Sequence, residues 1–84
     1  MSERIEIEFT PSEGSVLRLI GTVERRGYEV HALTMTSGEG GASLALEVRG
    51  RDDTRRLDVV AGHLRRLIDV RSVSHSSHAA GSPQ

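Results

Sequence analysis

Four histidines, His31, His63, His75 and His78, are the only side chains in this 84-residue sequence able to offer neutral imidazole for proton transfer or metal ligation. His75 and His78 have a spacing that a metal could use, but no acidic or thiol residue completes a ligand set around them, so no metal site is expected. His63 falls on a helix flank among arginines and His31 on a strand; neither has a serine and a carboxylate placed as a triad requires, and no catalytic residue is assigned. The run Ser37-Gly-Glu-Gly-Gly41 shares only its glycine content with a phosphate loop. A phosphate loop leads into a helix with Lys and Ser or Thr, whereas this run leads into a strand and reads as a hairpin turn. Gly14 keeps two readings: its backbone could let N–H groups approach a ligand carboxylate at a helix start, or it could serve a tight turn alone.

Composition narrows the field further. With 11 basic and 12 acidic side chains the net charge is −1, so neither a nucleic-acid backbone nor an anionic membrane is an expected partner. The pairs Arg25-Arg26, Arg55-Arg56 and Arg65-Arg66 are interleaved with Glu and Asp, and Phe9 and Tyr28 are the only aromatics. A sheet that stacks RNA bases would need aromatics on its exposed face, and a metal chaperone of small α+β type would need cysteines, of which there are none. The absence of cysteine also excludes disulfides, zinc ribbons and thiol redox chemistry. No cationic start leads into a long apolar run, so no signal peptide or membrane span is expected and the compartment expected is the cytoplasm. This length supports one domain with a small core, which favours oligomerisation.

The elements that must carry these residues can be read in chain order. Arg4 to Phe9 alternates strictly, with Ile5, Ile7 and Phe9 on one face of a half-buried strand. Thr10-Pro11-Ser12-Glu13 fits a capping box with Thr10 as N-cap; a competing boundary starts the helix near Gly14 and leaves Pro11 to Gly14 as a loop. Val16, Leu19, Ile20 and Val23 form an apolar helical face with Leu17 at its margin, while Arg18, Thr22, Arg25 and Arg26 point away. Gly27 suits a left-handed C-terminal cap.

Tyr28 to Thr36 is a strand with a phase shift: Tyr28 and Val30 share one phase, Leu33 and Met35 the other. That shift implies either a bulge or a strand buried on both faces, the second suggesting an interface. After the hairpin turn, Leu44, Leu46 and Val48 alternate as a further strand. Asp53 is the expected cap of a second helix whose apolar face is Leu57, Val60, Ala61, Leu64 and Leu67, with Val59 on the solvent side. Ile68 to Ser74 reads as a last strand, giving one domain over residues 1–74 and a mobile tail over 75–84.

The order β-α-β-β-α-β is two strand-helix-strand halves. Right-handed crossovers place the strands as 4-1-3-2, an α+β, ferredoxin-like, four-stranded antiparallel sheet with two helices on one face. The other face carries Glu6, Glu8 and Glu47 to solvent. Binding is expected at that face, at a sheet edge or at the turn before the first helix.

Two segments carry a resemblance. Pro11-x-x-Gly14-x-Val16-Leu17, followed after the helix by Arg26-Gly27-Tyr28-x-Val30-x-x-Leu33-Thr34, resembles the ACT domain, and more narrowly the small subunit of acetolactate synthase (acetohydroxyacid synthase). His63-Leu-Arg-Arg-Leu-Ile-Asp-Val70-x-x-Val73 is similar to that family's helix-to-strand segment. The resemblance, over about Ile5 to Ser74, implies a non-catalytic regulatory subunit without cofactors of its own; thiamine diphosphate, magnesium and FAD would belong to the large subunit. It implies as partners that large subunit, a second copy joined through sheet edges, and a branched-chain amino acid held by the pre-helix loop and the start of the second strand.

The positions implied for the amino acid are Pro11, Gly14, Glu29 and Val30. Valine-sensitive members have asparagines where this chain has Pro11 and Glu29. Proline offers neither a side-chain donor nor a backbone N–H, and the Glu29 carboxylate would repel a ligand carboxylate. Gly14 and Val30 still match. The resemblance is therefore to the short, single-domain, valine-insensitive kind, an activator with a weak or lost effector site. The alternative is a free-standing ACT sensor of amino acids serving another enzyme.

Overall fold

Ile5, Ile7 and Phe9 alternate with Arg4, Glu6 and Glu8, and the computed structural model, which describes residues 2–52 and 56–78, buries all three apolar side chains completely. They lie on β1 (Ser2–Phe9). There follow α1 (Ser15–Arg25), β2 (Tyr28–Gly38), β3 (Gly41–Gly50), α2 (Leu57–Arg65) and β4 (Val70–His78). The sheet order is β2-β3-β1-β4 and every pairing is antiparallel, so the ferredoxin-like arrangement is the observed one.

Phe9 pairs with Ala42, Ile7 with Leu44 and Ile5 with Leu46, so the inward positions of the two central strands form one apolar surface. Onto it α1 sets Leu19 and Val23, and α2 sets Leu57, Val60, Ala61 and Leu64; Tyr28 and Val73 close the sides. Each large side chain buried this way contributes about 1.5–3 kcal/mol.

The phase shift in β2 is a bulge. Val30 pairs with Val48 and Ala32 with Glu47, so His31 is the extra residue. The bulge turns Leu33 and Met35 to the inward side, opposite the buried Leu46 and Leu44. On an outer strand they remain 44% and 39% exposed. The hairpin turn narrows to Glu39-Gly40, with Gly38 paired to Gly41 and Gly40 at φ 84°.

Several expectations are corrected. Of the two boundaries left open for the first helix, the one near Gly14 is observed: the helix begins at Ser15 with Gly14 at the cap position, Pro11 to Gly14 is a loop, and Thr10 is not the cap. Thr22 is buried, because its hydroxyl donates to the Arg18 carbonyl (2.8 Å) and needs no water. Arg56, not Asp53, occupies the cap position of α2; Asp53 itself lies outside the described residues.

Ile68 sits in the turn before β4, 94% exposed, because the strand starts only at Val70. β4 continues to His78, so residues 75–78 belong to the sheet rather than to a tail: antiparallel pairing with Ser2 to Ile5 satisfies the backbone without any apolar side chain. Residues 79–84 lie outside the described residues. On the outer side of β4, Arg65 of α2 donates through Nη2 to the Val73 carbonyl (3.0 Å).

Candidate functional site

A helix start is an electropositive place because its first N–H groups lack carbonyl partners within the helix. In α1 that start is made by Gly14, whose φ of 77° lies in the left-handed region that disfavours side-chain-bearing residues. Its carbonyl accepts from the Arg18 N–H (3.0 Å), and no side chain caps the terminus. A Cβ at Gly14 would meet nothing nearer than Arg18 Nη2 at 3.9 Å, so the glycine is needed for its dihedral rather than for space.

The loop ahead of it is held from two sides. Ser15 N–H donates to the Ser12 carbonyl (3.0 Å) and Ser12 N–H donates back to Ser15 Oγ (3.1 Å). From across the molecule Asp69 receives Ser12 Oγ (2.9 Å) and Arg18 Nη1 (3.3 Å) on one carboxylate oxygen, while its backbone carbonyl receives Thr10 N–H (2.8 Å). Beneath this cluster a shallow cleft has an apolar floor of Phe9, Leu19, Leu67 and Val70. Ser12, Ser15, Arg18 and Asp69 are not foreshadowed in the sequence, since Asp69 meets Ser12 and Arg18 only through contacts distant in sequence.

The four expected effector residues do not converge within one chain. Pro11 and Gly14 follow Phe9, which pairs with Ala42 at the hairpin end of the sheet. Glu29 pairs with Arg49 and Val30 with Val48 at the opposite end. Ala42 and Arg49 are separated along β3 by about 23 Å at the usual rise per residue. Pro11 and Glu29 are exposed, and Val30 is partly buried against the core. Glu29 Oε1 lies 3.4 Å from His31 Nε2.

The other histidines also stay apart. His63 Nδ1 accepts from Arg26 Nη2 (3.4 Å), and His75 and His78 fall on β4. Among the described residues no group of three or more His, Asp or Glu is placed to hold a metal ion, and no helix is long and apolar enough to cross a membrane.

The ACT domain family matches residues 11–73, which is 63 of the 84 residues, and the chain belongs to that family. ACT domains are regulatory, non-catalytic modules, which gives this one a regulatory or ligand-sensing role. Among solved structures it is similar to the ACT domain of GTP pyrophosphokinase from Chlorobium tepidum. The crystal structure of that domain superposes with a TM-score of 0.74 at 16% identity, covering 90% of this chain and 97% of the other. Its solution structure gives 0.73 at 15% identity, covering 100% and 94%. The C-terminal domain of the MgtC protein from Mycobacterium tuberculosis gives 0.73 at 9% identity, covering 99% and 93%. At these identities the likeness is one of fold. No curated protein sequence matches the chain.

Proposed function

We propose that this ACT domain is the activating, valine-insensitive regulatory subunit of acetolactate synthase. The observation that carries the reading is the structural use of the two segments that resemble that subunit. Arg26-Gly27-Tyr28 makes the helix-to-strand turn, with Gly27 at φ 95° and Tyr28 fully buried. Leu67-Ile-Asp-Val70 makes the other, and its Asp69 fastens the pre-helix loop. The mechanism is a preference for the competent conformer of the catalytic subunit, which shifts that subunit's population.

The module works as a pair joined through its β2 edges. Leu33 and Met35 are the half-exposed apolar residues of that outer strand, and Val16, Ile20 and Val30 are only partly buried. Antiparallel pairing of two β2 strands about a two-fold axis also brings Glu29 and Val30 of one copy to the end of the sheet where Pro11 and Gly14 of the other lie, which a single chain does not achieve. The uncharged, N–H-deficient Pro11 and the carboxylate of Glu29 then leave that junction poorly suited to an amino acid's carboxylate.

Adding the chain to purified acetolactate synthase catalytic subunit raises turnover with the same cofactor requirement; no change in rate and no co-purification would reject the reading. A free-standing sensor is the second reading, favoured by the uncapped, glycine-led start of α1. Calorimetric titration with valine, leucine and isoleucine separates them: saturable binding that disappears in Gly14→Asp supports the sensor.

A further inference from the structure

Several charged groups on the helix layer are used within the chain, while Glu24 near the end of α1 has no ion pair among the described residues. Arg18 pairs with Asp69 and Arg56 with Asp58. Arg25, Arg26 and Arg66 are different: among the described residues none of them forms an ion pair. Arg25 reaches only the Thr22 hydroxyl (3.4 Å), and Arg26 reaches His63 Nδ1. That last contact places the C-terminal end of α1 beside the middle of α2, and Arg66 lies one helical turn beyond His63 on the same side. Arg26 and His63 therefore meet between the helices, with Arg66 one turn along α2 and Arg25 next to Arg26 at the end of α1.

Two further residues on the outer side of α2 lack an internal explanation. Val59, one turn before His63, is 50% exposed. Gly62 stands inside the helix, among the residues that helix interiors accept least, yet its φ is not positive and a Cβ there would meet nothing within 4 Å. Nothing in this chain needs a glycine at 62. A glycine at that position leaves room for a neighbour's backbone to come close.

From this we infer that the outer side of α2 and the furrow beside α1 form a docking surface for an acidic segment of the protein the module regulates, with carboxylates over Arg25, Arg26 and Arg66, an apolar side chain on Val59 and closest approach at Gly62. Unpaired cations around a small apolar patch complement such a segment and steer it by charge. The inference rests on the reading that the module acts by docking onto a larger protein, and its test keeps the two apart.

In one arm the isotope-labelled full chain is titrated with a synthetic peptide rich in glutamate and leucine, alongside phosphatidylserine vesicles and single-stranded RNA. Backbone signals of Val59, Gly62, His63 and Arg66 shift with the peptide, and salt weakens the effect. Shifts confined to the open face of the sheet, no shifts, or tighter binding by vesicles or RNA overturn the inference.

In the other arm the acetolactate synthase catalytic subunit is titrated with the wild type, Gly62→Ala, Arg66→Glu and Arg71→Glu. Gly62→Ala melts about 4–8 °C higher, because alanine favours the helix, yet binds roughly tenfold more weakly. Arg66→Glu weakens binding by a similar factor, and Arg71→Glu, the same charge change on an exposed strand position, does not. Equal binding by all variants overturns the surface and leaves the proposed function standing. Failure of the wild type to bind removes the proposed function, and the peptide arm then decides the surface alone.

Discussion

Ser12 and Asp69, 57 positions apart in sequence, are joined by a hydrogen bond of 2.9 Å. Through it the turn that enters β4 decides the shape of the loop that leaves β1. Asp69→Ala removes the acceptor shared by Ser12 and Arg18 and keeps the backbone bond from Thr10. The expected loss is about 1 kcal/mol, held down by the partial exposure of the groups. Urea denaturation measures it, and amide exchange between Ser12 and Ser15 accelerates; unchanged exchange would show that the loop is held by something else.

At Gly14 the expected cost is conformational. Alanine fits the space but not a φ of 77°, so Gly14→Ala loses about 1–2 kcal/mol, and Gly14→Asn loses less because asparagine tolerates the left-handed region. Thermal melts of the two variants should rank in that order.

Deleting His31 gives a sharper check on the register. Because His31 is the extra residue, its removal leaves Tyr28, Val30, Leu33 and Met35 on one face of an uninterrupted strand. The deletion variant therefore folds, with Leu33 still opposite Leu46 in cross-strand NMR contacts. An unfolded product would refute the pairing.

Leu33→Asp combined with Met35→Asp places two charges on the half-exposed inward side of β2. On the proposed pairing through β2, the wild type should sediment as a pair and the double variant as a monomer with native circular dichroism. A paired double variant would mean that another surface joins the copies.

Acid dependence is expected at the start of α2. The Arg56 guanidinium, hydrogen-bonded to Asp58, holds that carboxyl below its usual range, and backbone bonds at the helix start act in the same direction. With the folded value below the unfolded one of about 3.9, the contribution is complete above that pH and is lost as pH falls through the folded value. Wild type is therefore more stable than Asp58→Asn at neutral pH, and the two converge under acid once both side chains are uncharged.

How far the sequence discloses this structure depends on the range of the interactions. Strict alternation at Ile5, Ile7 and Phe9, and again at Leu44, Leu46 and Val48, is a local pattern with one physical outcome, and the left-handed turn at Gly27 is another. The start of α1 is not local: Thr10 and Gly14 both make acceptable boundaries, and the Asp69 contacts decide between them. Thr22 passes for an outward residue because its own helix satisfies the hydroxyl. His75, Ser76 and Ser77 have no apolar rhythm, so only the partner strand reveals them as a strand. In the candidate site, Gly14 is conspicuous by type, whereas the distance between Pro11 and Glu29 follows from register and has no signature in spacing.

The guanidinium of Arg65 on the Val73 carbonyl makes the two margins of the sheet unequal. One margin already has a backbone acceptor occupied from within its own chain, while the opposite margin, bulged at His31, offers its peptide groups beside two greasy residues. A strand with one acceptor already taken is a poorer template for a further strand than an edge whose acceptors are all free. Fibrous stacking, the usual hazard of a small open sheet, is thus opposed by one arginine far from any site that recognises a ligand.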